Sequence, residues 1–196
     1  MEAAPKQRDN EIQEEFWVLR CQAGDEVAFQ QLYSRYKPRS FAFLKGLVKG
    51  VVAEDLNQEV WLTVYRRIAS LTNAKGFRMW LFQIARNRAL DHFRQNKKSY
   101  ELQEATEVAA EGGGEDQPFD TEEDQELKIR LMACLEKLSQ RHREVLILSF
   151  LEGMDYEEIG LITGCSVGTV KSRVHHAKMK LKYLINIKIE SYDKDE

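Results

Sequence analysis

The 196-residue chain is 43% hydrophobic and 31% charged, a composition that suits one or two small globular cores and excludes a fibrous or low-complexity polymer. It holds no run of about 18 apolar residues, so no membrane insertion is expected, and Met1 to Glu15 lack the basic-then-apolar order of a signal peptide. A cytoplasmic protein is therefore expected, with Cys21, Cys134 and Cys165 too scattered for a metal site and read as small apolar residues of a reducing compartment.

The net charge of −3 argues against a nucleic-acid partner only until its distribution is read. Residues 1–60 are mildly acidic. Residues 61–98 carry nine basic groups against the single acid Asp91. Residues 99–127 carry eleven acids and no base, and residues 128–196 are again mildly basic. A basic block beside an acidic block points to a polyanionic partner and a separate solvated segment.

In chain order the apolar spacing is helical. Ala28, Phe29, Leu32, Tyr33 and Tyr36 share one face of Asp25–Tyr36. Leu56, Val60, Val64 and Ile68 recur every four residues between Ala53 and Leu71. Trp80, Leu81, Ile84, Ala85 and Leu90 do the same from Phe77 to Gln95, and Trp80 on that stripe is expected to be buried. No segment alternates with period two, so no sheet is expected. Ser99–Asp124 contains Gly112-Gly113-Gly114, Pro118 and few hydrophobes, too little apolar surface to offset its ordering entropy. The expected fold is all-α: two helical domains, 10–98 and 125–190, joined by a flexible acidic linker, 99–124.

The strongest local signal is Asp155 to Arg173. Asp155 and Glu158 have the spacing of a capping box, Gly164 suits a left-handed helix end, and Ser166 suits the next cap. Two helices joined by a tight turn containing Gly form a helix-turn-helix. In the second helix Val167, Val170, Val174, Ala177, Leu181 and Leu184 form the expected buried stripe, and from Cys165 to Ile189 there are six Lys/Arg and no acid. Ser166, Gly168, Thr169, Lys171, Ser172, Arg173, His175, His176 and Lys178 are the candidate DNA contacts, small polar groups for base edges and cations for phosphates. His175 and His176 point about 100° apart and cannot chelate one ion, so no metal, cofactor or catalytic group is expected.

Two stretches carry a resemblance. Ala53-Glu54-Asp55-Leu56-Asn57-Gln58-Glu59-Val60-Trp61, followed by Trp80 through Asp91, resembles region 2 of sigma-70-family factors, closest to the extracytoplasmic-function (ECF) group. The C-terminal Tyr156-to-Arg173 pattern looks like region 4 of the same group, and the two occur in the right order. The resemblance implies a transcription initiation factor that binds core RNA polymerase and reads the −10 and −35 elements of promoter DNA. It also implies an anti-sigma partner. A stand-alone helix-turn-helix regulator and a purely protein-binding adaptor are the alternatives; neither explains both halves.

By that resemblance Asp55, Gln58 and Glu59 dock on the polymerase, Asp55 and Glu59 sharing one helix face beside Leu56 and Val60. Arg66, Lys75, Arg78, Arg86, Arg88 and Arg94 hold the DNA backbone near the start site. The loop Ala69–Arg78 takes the place where a flipped −10 base is captured, and Asn73, with both donor and acceptor, is its natural reader. Trp61, Tyr65, Phe77, Trp80 and Phe82, interleaved with the cations, are either core or a stacking platform for single-stranded bases. The acidic linker is either a solvated spacer or, by the resemblance, an occupant of polymerase channels built for RNA.

Overall fold

In the computed structural model, which describes residues 5–48, 50–100 and 133–192, α1 (Pro5–Gln22), α2 (Glu26–Leu47), α3 (Gly50–Arg67) and α4 (Phe77–Tyr100) supply a first compact unit. Three residues suffice to link α1 to α2. Gly24 takes φ +87°, and Asp25 then caps α2, its Oδ1 accepting from the N–H groups of Val27 (2.9 Å) and Ala28 (3.1 Å). The N–H of Ala28, and behind it the Arg20 guanidinium, hold the Asp25 carboxyl below the usual carboxylate range.

The core of this unit is aromatic. Tyr36, Phe43, Phe77 and Phe82 are fully buried, with Tyr36 edge-on to Phe77 (5.5 Å between centroids) and Phe43 edge-on to Phe82 (5.4 Å). Burial of about 2–3 kcal/mol for each such ring fixes how α2 meets α4. It also rotates α4 relative to the sequence expectation. Phe77, Leu81, Phe82, Ala85 and Ala89 face inward, whereas Trp80, Ile84 and Leu90 are only partly covered. Helix α2 runs through Pro38, and α3 is tied to it there by polar groups inside the core. The Asn57 carboxamide donates to the Lys37 carbonyl (3.2 Å), the Ser40 hydroxyl donates to Asn57 Oδ1 (2.7 Å), and Trp61 Nε1 donates to Ser40 Oγ (3.1 Å). Because each partner is satisfied, the network pins one helix register without the cost of an orphaned polar group.

The second unit contains helical residues 133–136, α5 (Gln140–Leu146), α6 (Tyr156–Thr163) and α7 (Val167–Tyr192). Helix α5 widens at its end into a π-type turn, Ile147–Leu151, closed by the Glu152 N–H on the Ile147 carbonyl (3.1 Å). Leu138, Leu146 and Ala177 form a buried cluster against which Leu135, Leu181 and Leu184 pack. Among the described residues there is no strand, and no helix is long and apolar enough to cross a membrane. The all-α, two-domain expectation is met. Of the expected linker, residues 101–124 lie outside the described residues.

Candidate functional site

On α3, Asp55, Gln58 and Glu59 are exposed, as are Val51, Leu62 and Tyr65. On an ideal helix these six fall within an arc of about 120°. The expected apolar margin, Leu56 and Val60, is instead buried in the core, because it lies on the opposite face of the turn. The apolar groups beside the carboxylates are Leu62 (54% exposed) and Tyr65 (58% exposed). Spacing alone could have found them, since Val51, Asp55, Gln58, Leu62 and Tyr65 follow one helical stripe. Tyr65 meets Phe29 edge-on at 5.1 Å, and Phe29, Tyr33 and Trp61 continue the aromatic contact toward the core.

Two short 3₁₀ turns, Ile68–Ser70 and Ala74–Gly76, build the connection from α3 to α4. Asn73 and Lys75 are exposed on it. Asn73 is extended and caps the second turn, its Oδ1 accepting from the Lys75 N–H (3.2 Å). Arg66 is exposed at the end of α3. The α4 cations are not gathered on one face, for Arg94 lies about 160° around the helix from Arg78, and Arg86 and Arg78 are partly covered. Arg94 pairs with Asp91 (3.1 Å), one turn back. Arg88 turns to α3, donating to Thr63 Oγ1 (3.0 Å) and standing 3.6 Å from the Glu59 carboxylate. Among the interleaved aromatics Trp61, Phe77 and Phe82 are core, Trp80 is half-buried where burial was expected, and Tyr65 alone is largely exposed.

The helix-turn-helix is built as its sequence implies. Asp155 Oδ1 accepts from the Glu158 N–H (2.8 Å) while Glu158 Oε2 accepts from the Asp155 N–H (3.0 Å), completing the capping box of α6. Gly164 ends α6 at φ +67°, and Ser166 Oγ accepts from the Thr169 N–H (3.2 Å) to start α7. Val170, Val174 and Ala177 are buried. Val167, expected on that stripe, is 41% exposed because it opens the helix before the first inward turn. Ser166, Gly168, Thr169, Lys171, Ser172, His175, His176 and Lys178 are all exposed. Arg173 is half-buried and donates to Cys165 Sγ (2.9 Å), so the turn itself holds its guanidinium. Lys178 sits over the exposed Phe150 ring (4.4 Å to its centroid). Burial, and after it the neighbouring His176, Lys180 and Arg173, push His142 of α5 below the ordinary histidine range.

Such a helix, short-capped, cationic and exposed along its first turns, defines the class of helix-turn-helix transcription factors, here accompanied by a second helical unit with an acidic–apolar face. Comparisons narrow the class. The family model for Sigma-70 region 2 matches residues 32–99, and that for Sigma-70, region 4, matches residues 128–181. The chain is 34% identical over 169 residues to the RNA polymerase sigma factor CarQ of Myxococcus xanthus, covering 85% of this chain and 94% of that one. It is 28% identical over 176 residues to the ECF RNA polymerase sigma factor SigW of Bacillus subtilis, covering 84% and 92%. The sigma factor RpoE of Bartonella quintana, solved in complex with the anti-sigma factor NepR, superposes with a TM-score of 0.68 at 28% identity, covering 81% of this chain and 97% of that one. The chain belongs to the sigma-70 family, in its ECF group. It is a transcription initiation factor that binds core RNA polymerase and directs it to promoters. The agreement of both halves favours this reading over a stand-alone helix-turn-helix regulator.

Proposed function

We propose that residues 10–98 bind core polymerase and open the −10 region, that residues 125–190 read the −35 element, and that residues 99–124 are the acidic tether between them. The docking face on α3 is Asp55, Gln58 and Glu59 with Leu62 and Tyr65, carboxylates for a basic helical partner and apolar side chains for desolvated contact. Asn73 reads a −10 base extruded from the stack, while Arg66, Lys75, Arg78, Arg86 and Arg94 neutralise the adjacent backbone and Arg88, engaged by Thr63 and Glu59, contributes least. In α7, Ser166, Gly168, Thr169, Ser172 and His176 face the major groove, and Lys171, Arg173, His175 and Lys178 take phosphates.

One observation carries this reading: the first half of α7 exposes polar and cationic side chains without an acid, on a helix that Ser166 caps directly after the tight Gly164 turn from the box-capped α6. The protein acts without catalysis of its own and works in the cytoplasm. An anti-sigma protein restrains it, as the anti-sigma factor solved with the Bartonella quintana relative suggests. Two modest DNA contacts joined by a tether gain strength through effective concentration once polymerase holds both. Run-off transcription with purified core polymerase on a genomic fragment library tests the reading. Discrete new start sites sharing two upstream elements are expected; binding to duplex DNA as a dimer, with no effect on polymerase, would overturn it.

A further inference from the structure

In the last turn of α1 the half-buried Gln22 side chain reaches across to a segment 46–49 residues further along the chain. Its Nε2 donates to the Ile68 carbonyl (3.2 Å) and to the Leu71 carbonyl (2.6 Å). These two carbonyls bracket the first 3₁₀ turn, which the Leu71 N–H closes on the same Ile68 carbonyl (3.1 Å). One primary amide, with two hydrogens on one nitrogen, therefore holds both ends of the turn that leads into Asn73. Seven residues earlier on α1, Glu15 stands 3.9 Å from Lys75 on the far side of Asn73. That pair is long, with Lys75 exposed and Glu15 only half-buried, and such pairs contribute little, so the carboxamide is the principal tether.

We propose that Gln22 is a positioning residue for −10 recognition: it holds the Ile68–Leu71 turn so that Asn73 is presented to the extruded base in one register. The inference rests on the reading that this loop meets the −10 strand. The chemistry of the contact calls for a group with at least two hydrogens to donate. A carboxylate of the same shape would face two carbonyl oxygens with an oxygen of its own, a thioether would fill the space and donate nothing, and an ammonium would restore the donors. Asn73 has its Oδ1 occupied by the Lys75 N–H, and among the described residues none accepts from its Nδ2. Its remaining donor is thus aimed by the turn that Gln22 fixes.

The test uses the full chain assembled with core polymerase on an active promoter whose −10 positions are randomised. Transcripts are counted by template base for the wild type, Gln22→Met, Gln22→Glu, Gln22→Lys and Asn73→Ala, beside core affinity and amide exchange of residues 71–76. Discrimination at one position should fall on the order of 10-fold in Gln22→Met and Gln22→Glu, the range of a lost base contact. Core affinity should stay unchanged, exchange should quicken in residues 71–76 alone, and Gln22→Lys should recover most of the discrimination. Unchanged discrimination in Gln22→Met and Gln22→Glu, with Asn73→Ala impaired, would overturn the positioning role while leaving the loop as reader. No effect of Asn73→Ala would overturn the loop reading and the positioning role together.

Discussion

Gly160 and Cys165 face each other across the turn of the helix-turn-helix so closely that a Cβ on Gly160 would lie 2.8 Å from the Cys165 carbonyl oxygen. The Cys165 N–H in turn donates to the Gly160 carbonyl (3.0 Å), so neither backbone can yield without breaking that bond. Gly160→Ala should therefore destabilise the C-terminal unit by about 1–3 kcal/mol, the range of an overpacked site. Gly168→Ala is the control. Its nearest neighbour would be Ser166 Oγ at 4.0 Å, so helix propensity should make it neutral or stabilising by up to about 1 kcal/mol. Thermal unfolding of the two variants, followed by circular dichroism, checks the sign of each.

The exposed stripe of α3 separates docking from folding. Leu62→Asp and Tyr65→Ala remove no buried side chain, so the fold should survive while affinity for core polymerase drops by about 10-fold or more, as for central interface groups. Leu56→Ala, on the buried face, should instead cost about 2–5 kcal/mol of stability. Titration of labelled protein with core polymerase, beside a urea melt of each variant, distinguishes them. Weakened docking only in Leu56→Ala would overturn the assignment of this face.

These two cases show why some of the molecule was legible in the sequence and some was not. Caps and turns act over three or four residues, so Asp155, Glu158, Gly164 and Ser166 announce themselves by identity and spacing. Which side of an amphipathic helix faces in depends on what packs against it. Leu56 and Val60 lie by spacing beside the carboxylates yet are core, Trp80 lies on the apolar stripe yet is half-buried, and α4 turns to seat Phe77 and Phe82 against α2. Gln22 gave no local signal. Its importance arises from carbonyls nearly fifty residues away, a relationship only the fold creates.

Basic residues that look alike in sequence should differ in their effect on DNA. Lys171 is exposed and no described carboxylate pairs with it, so Lys171→Ala should weaken binding across sequences and reduce the salt slope by about one. Arg88 already serves Thr63 and Glu59 within its own unit, so Arg88→Ala should loosen α3 against α4 and change the salt slope less. Promoter binding by the assembled polymerase at several salt concentrations measures both. Equal slopes for the two variants would mean that Arg88 leaves its partners for the DNA.

The C-terminal unit should lose stability on mild acidification. His142 sits partly buried beside His176, Lys180 and Arg173, and burial, with these neighbours second, holds its pKa below the ordinary value of 6.5. The unfolded chain therefore takes up the proton first. Above the unfolded value both states are neutral and nothing is lost; as pH falls through about 6.5 the unfolded state gains protons that the folded one refuses, and stability declines until the folded pKa is passed. His142→Gln, which cannot titrate, should flatten that decline. Unfolding midpoints of the wild type and the variant between pH 8 and pH 5, in a buffer of constant ionic strength, are the check; parallel curves would show that the acid sensitivity lies in other groups.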